Sequence, residues 1–371
     1  MTLIDRRLFT NFDWTLLGLT LVIAAIGVVN IFSATASYNV SGTPYYLKQL
    51  YWISTGLILV VAVCGIDYHL LDDIASWVYG AVVILLVIVL IAGKTSMGAT
   101  RWLHLGFISL QPSEPMKIVI IIIFARLFSR YPAHTSLSVK ELGLPLVIVG
   151  LPALLIMKQP DLGTAILVLL IAGSMMLSVG VKPSAIITGV VAAVPVIFAG
   201  WHFYLRDYQK NRILDFLNPD RSRLGSGYHI IQSKIAVGSG GFFGKGYLKG
   251  TQTQLRFLPE QHTDFAFSVF SEEWGFLGGF VVLALYFCIV LWGFHVASRC
   301  NDRFGTLLAV GVTAMLFWHI VVNIGMVIGL FPVVGVPLPF FSYGGTSMVT
   351  SMIGVALLLN IGMRRFMFSA N

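Results

Sequence analysis

The chain has 371 residues, of which 57% are hydrophobic and 11% charged, with a formal net charge of +8. A soluble domain carries about a quarter of its residues charged, and a mean hydropathy of +0.86 leaves too little polar surface to cover a water-soluble globule. The basic balance has no stripe interleaved with aromatics, which excludes nucleic acid as a partner and leaves positive-inside topology and a negatively charged substrate. Cys64, Cys288 and Cys300 have no paired spacing, so neither a disulfide framework nor a metal site is indicated.

Apolar runs predict helices at 14–36, 46–65, 74–93, 113–130, 142–157, 161–179, 183–200, 265–297, 306–329 and 343–363. The first run follows Arg6 and Arg7 and is longer than a signal-peptide core, so it reads as an uncleaved span. The expected fold class is an all-α integral membrane protein of about ten transmembrane helices. It forms one polytopic domain over 1–371, with a large extracytoplasmic loop, 201–264, between helices seven and eight. With both termini in the cytoplasm, ten basic residues of the short loops and tails lie inside (Arg6, Arg7, Arg126, Arg130, Lys140, Lys182, Arg299, Arg303, Arg364, Arg365) against four outside (Lys48, Lys94, Arg101, Lys158). The even-numbered helices then start at the outer surface, where free N–H groups favour anions.

The polar residues gather at those starts. Helix four opens Gln111-Pro112-Ser113-Glu114-Pro115-Met116-Lys117, and helix six opens Gln159-Pro160-Asp161-Leu162-Gly163-Thr164. Proline suits a first helical turn, and Ser113 and Asp161 read equally as caps or as site residues. Glu114 and Lys117 share a helix face just inside an apolar span, where ionisable groups are costly and mark functional pathways. A purely structural ion pair is the alternative.

The outer loop carries Gly238-Ser239-Gly240-Gly241-Phe242-Phe243-Gly244-Lys245-Gly246, which fails the Walker pattern at Ser239 and Gly246. Its glycines read as turns that let backbone approach a ligand or another element closely. The loop ends Glu260-Gln261-His262-Thr263-Asp264-Phe265. Asp264 reads as either the next helix's cap or a carboxylate whose proton affinity is raised toward that of a general base. His262 has no second ligand at helical spacing and is not a metal site. The segment 329–346 is apolar and rich in Pro and Gly, so it must be buried or line a cavity. Its Ser342 and the amides of Gly344 and Gly345 suit a phosphate contact. His319 and Asn323, four apart in helix nine, read as interhelical glue.

The stretches Tyr228–Gly241, Phe257–Gly275 and Asn323–Gly345, with Gln111–Lys117 and Gln159–Thr164, resemble the SEDS family of shape, elongation, division and sporulation proteins. Phe331-Pro332-Val333-Val334-Gly335-Val336-Pro337-Leu338-Pro339 and Gly250-Thr251-Gln252 look closer to its elongation branch than to its division branch. The resemblance implies a peptidoglycan glycosyltransferase in the cytoplasmic membrane that polymerises lipid II at its outer face. The family's essential aspartate falls on Asp264, its helix-four pair on Glu114 and Lys117, its Gln-Pro-Asp aspartate on Asp161, and a further position on Arg101. The implied partner is a class B penicillin-binding protein, a transpeptidase.

On that reading Asp264 is the base of an inverting transfer. Lys117 and Arg101 stabilise the departing polyprenyl pyrophosphate, with Arg206 and Arg212 in reserve, and Glu114 holds Lys117. A divalent cation, Mg or Mn, is compatible with this chemistry, although no ligand set demands one. Two other readings are a flippase for lipid-linked precursors and a non-catalytic scaffold of the cell-wall complex.

Overall fold

A computed structural model describes residues 11–37, 42–96, 99–105, 108–132, 136–218 and 225–364. Among the described residues, thirteen α-helices follow in chain order: α1 Trp14–Thr35, α2 Tyr45–Gly65, α3 Leu70–Ala92, α4 Ser113–Ser129, α5 Gly143–Lys158, α6 Leu162–Val179, α7 Pro183–Ala199, α8 Asp207–Leu217, α9 Ser226–Ser239, α10 Thr251–Gln254, α11 Ala266–Ser298, α12 Arg303–Val327 and α13 Gly345–Arg364. Each apolar run of the sequence falls on one helix. Among the described residues, eight helices are long and apolar enough to cross a membrane. The helices on runs four and five, α4 and α5, have 17 and 16 residues, short of the roughly 20 that span a bilayer upright. The protein is therefore a largely helical membrane protein.

Two features depart from the expected loops. Between α3 and α4 lies a small antiparallel sheet, β1 Lys94–Ser96, β2 Ala99–Leu105 and β3 Ile108–Leu110, in the order β1-β2-β3. The interval 201–264 is not plain loop either, because it holds a π turn at Gly200–Tyr204 followed by α8, α9 and α10.

Burial follows from packing. α12 lies against α4, α6, α11 and α13, and α13 packs on α2. These two helices are the most enclosed of the eight, whereas α7 is almost wholly exposed. Side chains set several starts: Asp13 accepts from the Leu16 amide at 3.2 Å, and Asp302 from that of Gly305 at 2.6 Å.

At 33 residues, α11 would be about 50 Å long, against about 30 Å of hydrocarbon. It is broken at Gly275, whose φ of 66° is left-handed. The Gly-rich segment enters the break. Phe276 and Leu277 donate their amides to the Gly241 and Phe242 carbonyls at 2.9 and 3.1 Å. Lys245 and Gly246 donate theirs to the Glu272 and Glu273 carbonyls, each at 3.0 Å. Backbone groups freed by a break at membrane depth need such partners. The close approach that the glycines foreshadowed is thus to α11, and a Cβ on Gly240 or Gly244 would strike the Ser271 or Glu273 carbonyl.

The Glu272 carboxylate, fully buried, then clamps the segment. It accepts from Lys245 Nζ at 2.7 Å, the Gln252 and Thr253 amides at 3.0 and 3.3 Å, and the Thr251 and Thr253 hydroxyls at 3.1 and 3.2 Å. Neighbouring Glu273 accepts from the Ser33 hydroxyl of α1.

Candidate active site

Asp161 is the meeting point of the two Gln-Pro motifs. It starts α6, its Oδ1 accepting from the Thr164 amide at 3.5 Å. Its Oδ2 also receives Gln111 Nε2 at 3.0 Å, the Ser113 hydroxyl at 3.3 Å and the Thr164 hydroxyl at 2.9 Å. Arg101, on β2, donates to the Pro160 carbonyl and holds Nη1 3.8 Å from Asp161 Oδ1. Asp161 is therefore a cap and more than a cap. Ser113 is not one, because Pro112 occupies the cap position of α4 and the Ser113 hydroxyl turns to Asp161.

Asp264 stands immediately before α11. The cap position belongs to Phe265, and no side chain caps that end. Among the described residues no group donates to the Asp264 carboxylate. Its pKa rises from 3.8 to about 7 because burial penalises the charge and Glu260 adds to that, while Arg212 and Arg101 oppose it and Asp161 adds slightly. The same balance puts Asp264, Glu260, Arg212, Arg101 and Asp161 in one electrostatic field. They come from β2, the α6 start, α8 and the α11 approach.

Arg212 Nη1 donates to the Val333 carbonyl at 3.2 Å, tying α8 to the 328–344 segment. Glu260 holds a left-handed φ of 46°, rare for a residue with a side chain. It accepts the Thr263 hydroxyl at 3.2 Å on both its carbonyl and its carboxylate. Burial lowers the pKa of His262, against Glu260, and that of His229, where Arg212 adds to the effect. Both imidazoles are thereby biased toward the neutral form.

A model of the FtsW/RodA/SpoVE family, described as cell cycle protein, matches residues 13–366. The chain belongs to this family. It is 42% identical over 341 residues to the peptidoglycan glycosyltransferase MrdB of Escherichia coli K12, covering 91% of this chain and 92% of that one. To the peptidoglycan glycosyltransferase RodA of Treponema pallidum it is 35% identical, over 96% and 98% of the two chains. A solved structure described as structural coordination of polymerization and crosslinking by a peptidoglycan synthase complex superposes with a TM-score of 0.81. That match is at 32% identity, covering 96% of this chain and 98% of that one. RodA of Thermus thermophilus superposes at 0.70 with 28% identity over the same shares.

The remaining site residues of this family member fall into two groups. Glu114 and Lys117 pair at 2.8 Å, as their spacing predicts, and are 4% and 1% exposed. Lys117 Nζ also lies 2.7 Å from His319 Nε2, and His319 Nδ1 lies 2.7 Å from the Met315 carbonyl. A carbonyl only accepts, so Nδ1 carries the proton and Nε2 receives the ammonium. His319 is thus the third member of a buried triad, which its apolar helix context did not reveal.

The second group is the wall beside His262. Tyr343 donates its amide to the His262 carbonyl at 2.9 Å, and the rings of Tyr45, His262 and Tyr343 pack together, Tyr45 meeting Tyr343 edge-on. Ser342 is buried and its hydroxyl accepts the Leu338 amide at 3.0 Å. Gly345 gives way to the Trp52 indole, and half-buried Gly344 precedes α13. Arg206 is exposed at the α8 start. Among the described residues no three His, Cys, Asp or Glu side chains converge as metal ligands.

Proposed function

We propose that this protein is a peptidoglycan glycosyltransferase that polymerises lipid II into glycan strands for cell elongation. Its topology is ten crossings of the cytoplasmic membrane with both termini inside and the site on the outer face, α4 and α5 being short spans buttressed by neighbours. The loop 201–264 is then extracytoplasmic. The reading is supported by the relatives' activity, and the single observation that carries it is the Asp264 carboxylate. It receives no donor among the described residues, has a proton affinity near neutrality, and lies in the field of two guanidinium groups.

A general base works best when its pKa lies near the working pH. Asp264 takes the proton of the acceptor sugar's 4-hydroxyl as that oxygen attacks the donor's anomeric carbon. The bond from that carbon to the pyrophosphate oxygen breaks, and the pyrophosphate leaves with the electron pair. An α-linked donor gives a β-linked product, so one base and no covalent sugar–enzyme intermediate suffice. Arg101 and Arg212 are preorganised to meet the charge that develops on the leaving group, with Arg206 at the rim. The Gly344 and Gly345 amides and Ser342 line the approach, and Asp161 holds Arg101. Lys117, held by Glu114 and His319, is a further cation for the leaving group, and the triad also ties α4 to α12. The partner is a class B penicillin-binding protein, in keeping with the synthase complex among the structural neighbours.

The test is glycan-strand formation from lipid II by the purified protein, with and without the transpeptidase, comparing wild type with Asp264→Asn. Polymer should vanish in the variant while the fold and partner binding persist. Normal polymerisation would sink the assignment. The broken helix α11 and the buried ion pair are also features of transporters. A variant that still moves precursor across vesicles but never polymerised would favour that second reading.

A further inference from the structure

Asn323 on α12 is fully buried, yet its amide is only half used. Nδ2 lies 3.0 Å from the Asp264 carbonyl and 2.7 Å from the Val336 carbonyl, while Oδ1 is enclosed with no partner among the described residues. Both neighbours are backbone carbonyls that only accept, so the nitrogen must face them. A buried acceptor left unmade is costly, and general interhelical adhesion does not explain tolerating one.

The two carbonyls explain it. One belongs to the proposed base. The other follows Gly335, which holds a left-handed φ of 71° and whose Cβ position lies 3.3 Å from Asp264 Oδ2. By gripping both, Asn323 sets the backbone of the 328–344 segment against the carboxylate from one side and fixes the aspartate's main chain from the other. His319 is one helical turn away on the same face, about 6 Å along the axis, and holds Lys117. A single stripe of α12 therefore positions both the base and the deeper triad.

We infer that Asn323 is a positioning residue for the reaction, acting through the main chain of Asp264 and through Gly335–Val336 to hold the carboxylate in its attack geometry. This rests on the proposed role of Asp264. A displacement of about 1 Å at a reacting group can cost about a hundredfold in rate.

The experiment measures kcat and KM for lipid II polymerisation by the full-length protein with its transpeptidase, per folded molecule, in wild type, Asn323→Ala and Asn323→Gln, with unfolding temperature recorded. Asn323→Ala should lower kcat at least about tenfold and leave KM within about twofold. Asn323→Gln keeps the donor and should fall between alanine and wild type. A kcat within about twofold of wild type in the alanine variant overturns the inference, as does a loss wholly accounted for by unfolded protein. If the alanine variant does not fold, the glutamine variant decides: a wild-type kcat overturns the inference and a reduced kcat at unchanged KM supports it. Asp264→Asn, run alongside, separates the two failures. An active Asp264→Asn removes the base itself, whereas an inactive one beside an unaffected Asn323→Ala removes only the positioning role.

Discussion

The position of Asp264 makes the pH dependence of this protein specific in sign and size. A carboxylate acting as base must be ionised, and at a pKa of about 7 about half the molecules are competent at pH 7, about a tenth at pH 6 and about a hundredth at pH 5. The initial rate of lipid II polymerisation at low substrate should therefore fall about tenfold per unit below neutrality, where an ordinary aspartate at 3.8 would leave it flat to about pH 5. Glu260→Gln removes a neighbouring negative charge and should move the acid limb to lower pH. Arg212→Ala removes a positive one and should move it higher.

Stability has the opposite sign. The folded pKa lies above the unfolded value, so the contribution is fully present below about 3.8 and is lost as pH rises through about 7. The ionised group then costs the fold at most about 4 kcal/mol, at about 1.4 kcal/mol per pH unit, and less because the side chain is only half-buried. Asp264→Asn, which does not titrate, should unfold at a higher temperature than wild type at pH 8, with the gap closing toward pH 4. An acid limb below pH 5 in the wild type, or variants at Glu260 and Arg212 that shift it the wrong way, would refute this account.

Three further outcomes follow from the fold. Glu114→Gln leaves the buried Lys117 ammonium without its counter-charge, which should lower stability by about 3–5 kcal/mol, and the double change with Lys117→Met should recover most of it in detergent thermal unfolding. Gly244→Ala forces a side chain into a left-handed φ of 82° against the Glu273 carbonyl. Strain of about 1–3 kcal/mol or more should appear, with faster proteolysis of the 241–254 segment as the readout. Glu272→Gln loses the charge-assisted bonds to Lys245 and to the α10 residues, each worth about 1.5–3 kcal/mol. Its unfolding temperature should fall, whereas Lys245→Met, at a partly exposed partner, should cost less.

The helices were legible because each is a long apolar run, and hydrophobicity at membrane depth needs no tertiary information. The pair Glu114–Lys117 was legible for a similar reason: three residues on one helix fix a shared face. The Gly-rich stretch announced a close approach without naming its partner, since glycine only removes a steric barrier. The outer loop's helices α8 and α9 and the β1–β3 sheet were missed, because short mixed-polarity segments carry weak periodicity and are held by what they pack on. Arg206 and Arg212 are indistinguishable in sequence. The tertiary structure is what brings Arg212 into the field on Asp264.

The amino-acid sequence by itself therefore determined the solvent, the helices and the chemical inventory: an aspartate at a helix start, candidate guanidinium groups, and an apolar Pro- and Gly-rich segment. Only the tertiary structure decided that Asp264 is no cap, that Arg101, Asp161, Glu260 and Arg212 share its field, and which partners Asn323 and His319 grip. The physical reason is range. Local propensity and hydrophobicity act along a few residues of chain, whereas a carboxylate's proton affinity depends on burial and on charges brought from far along the chain.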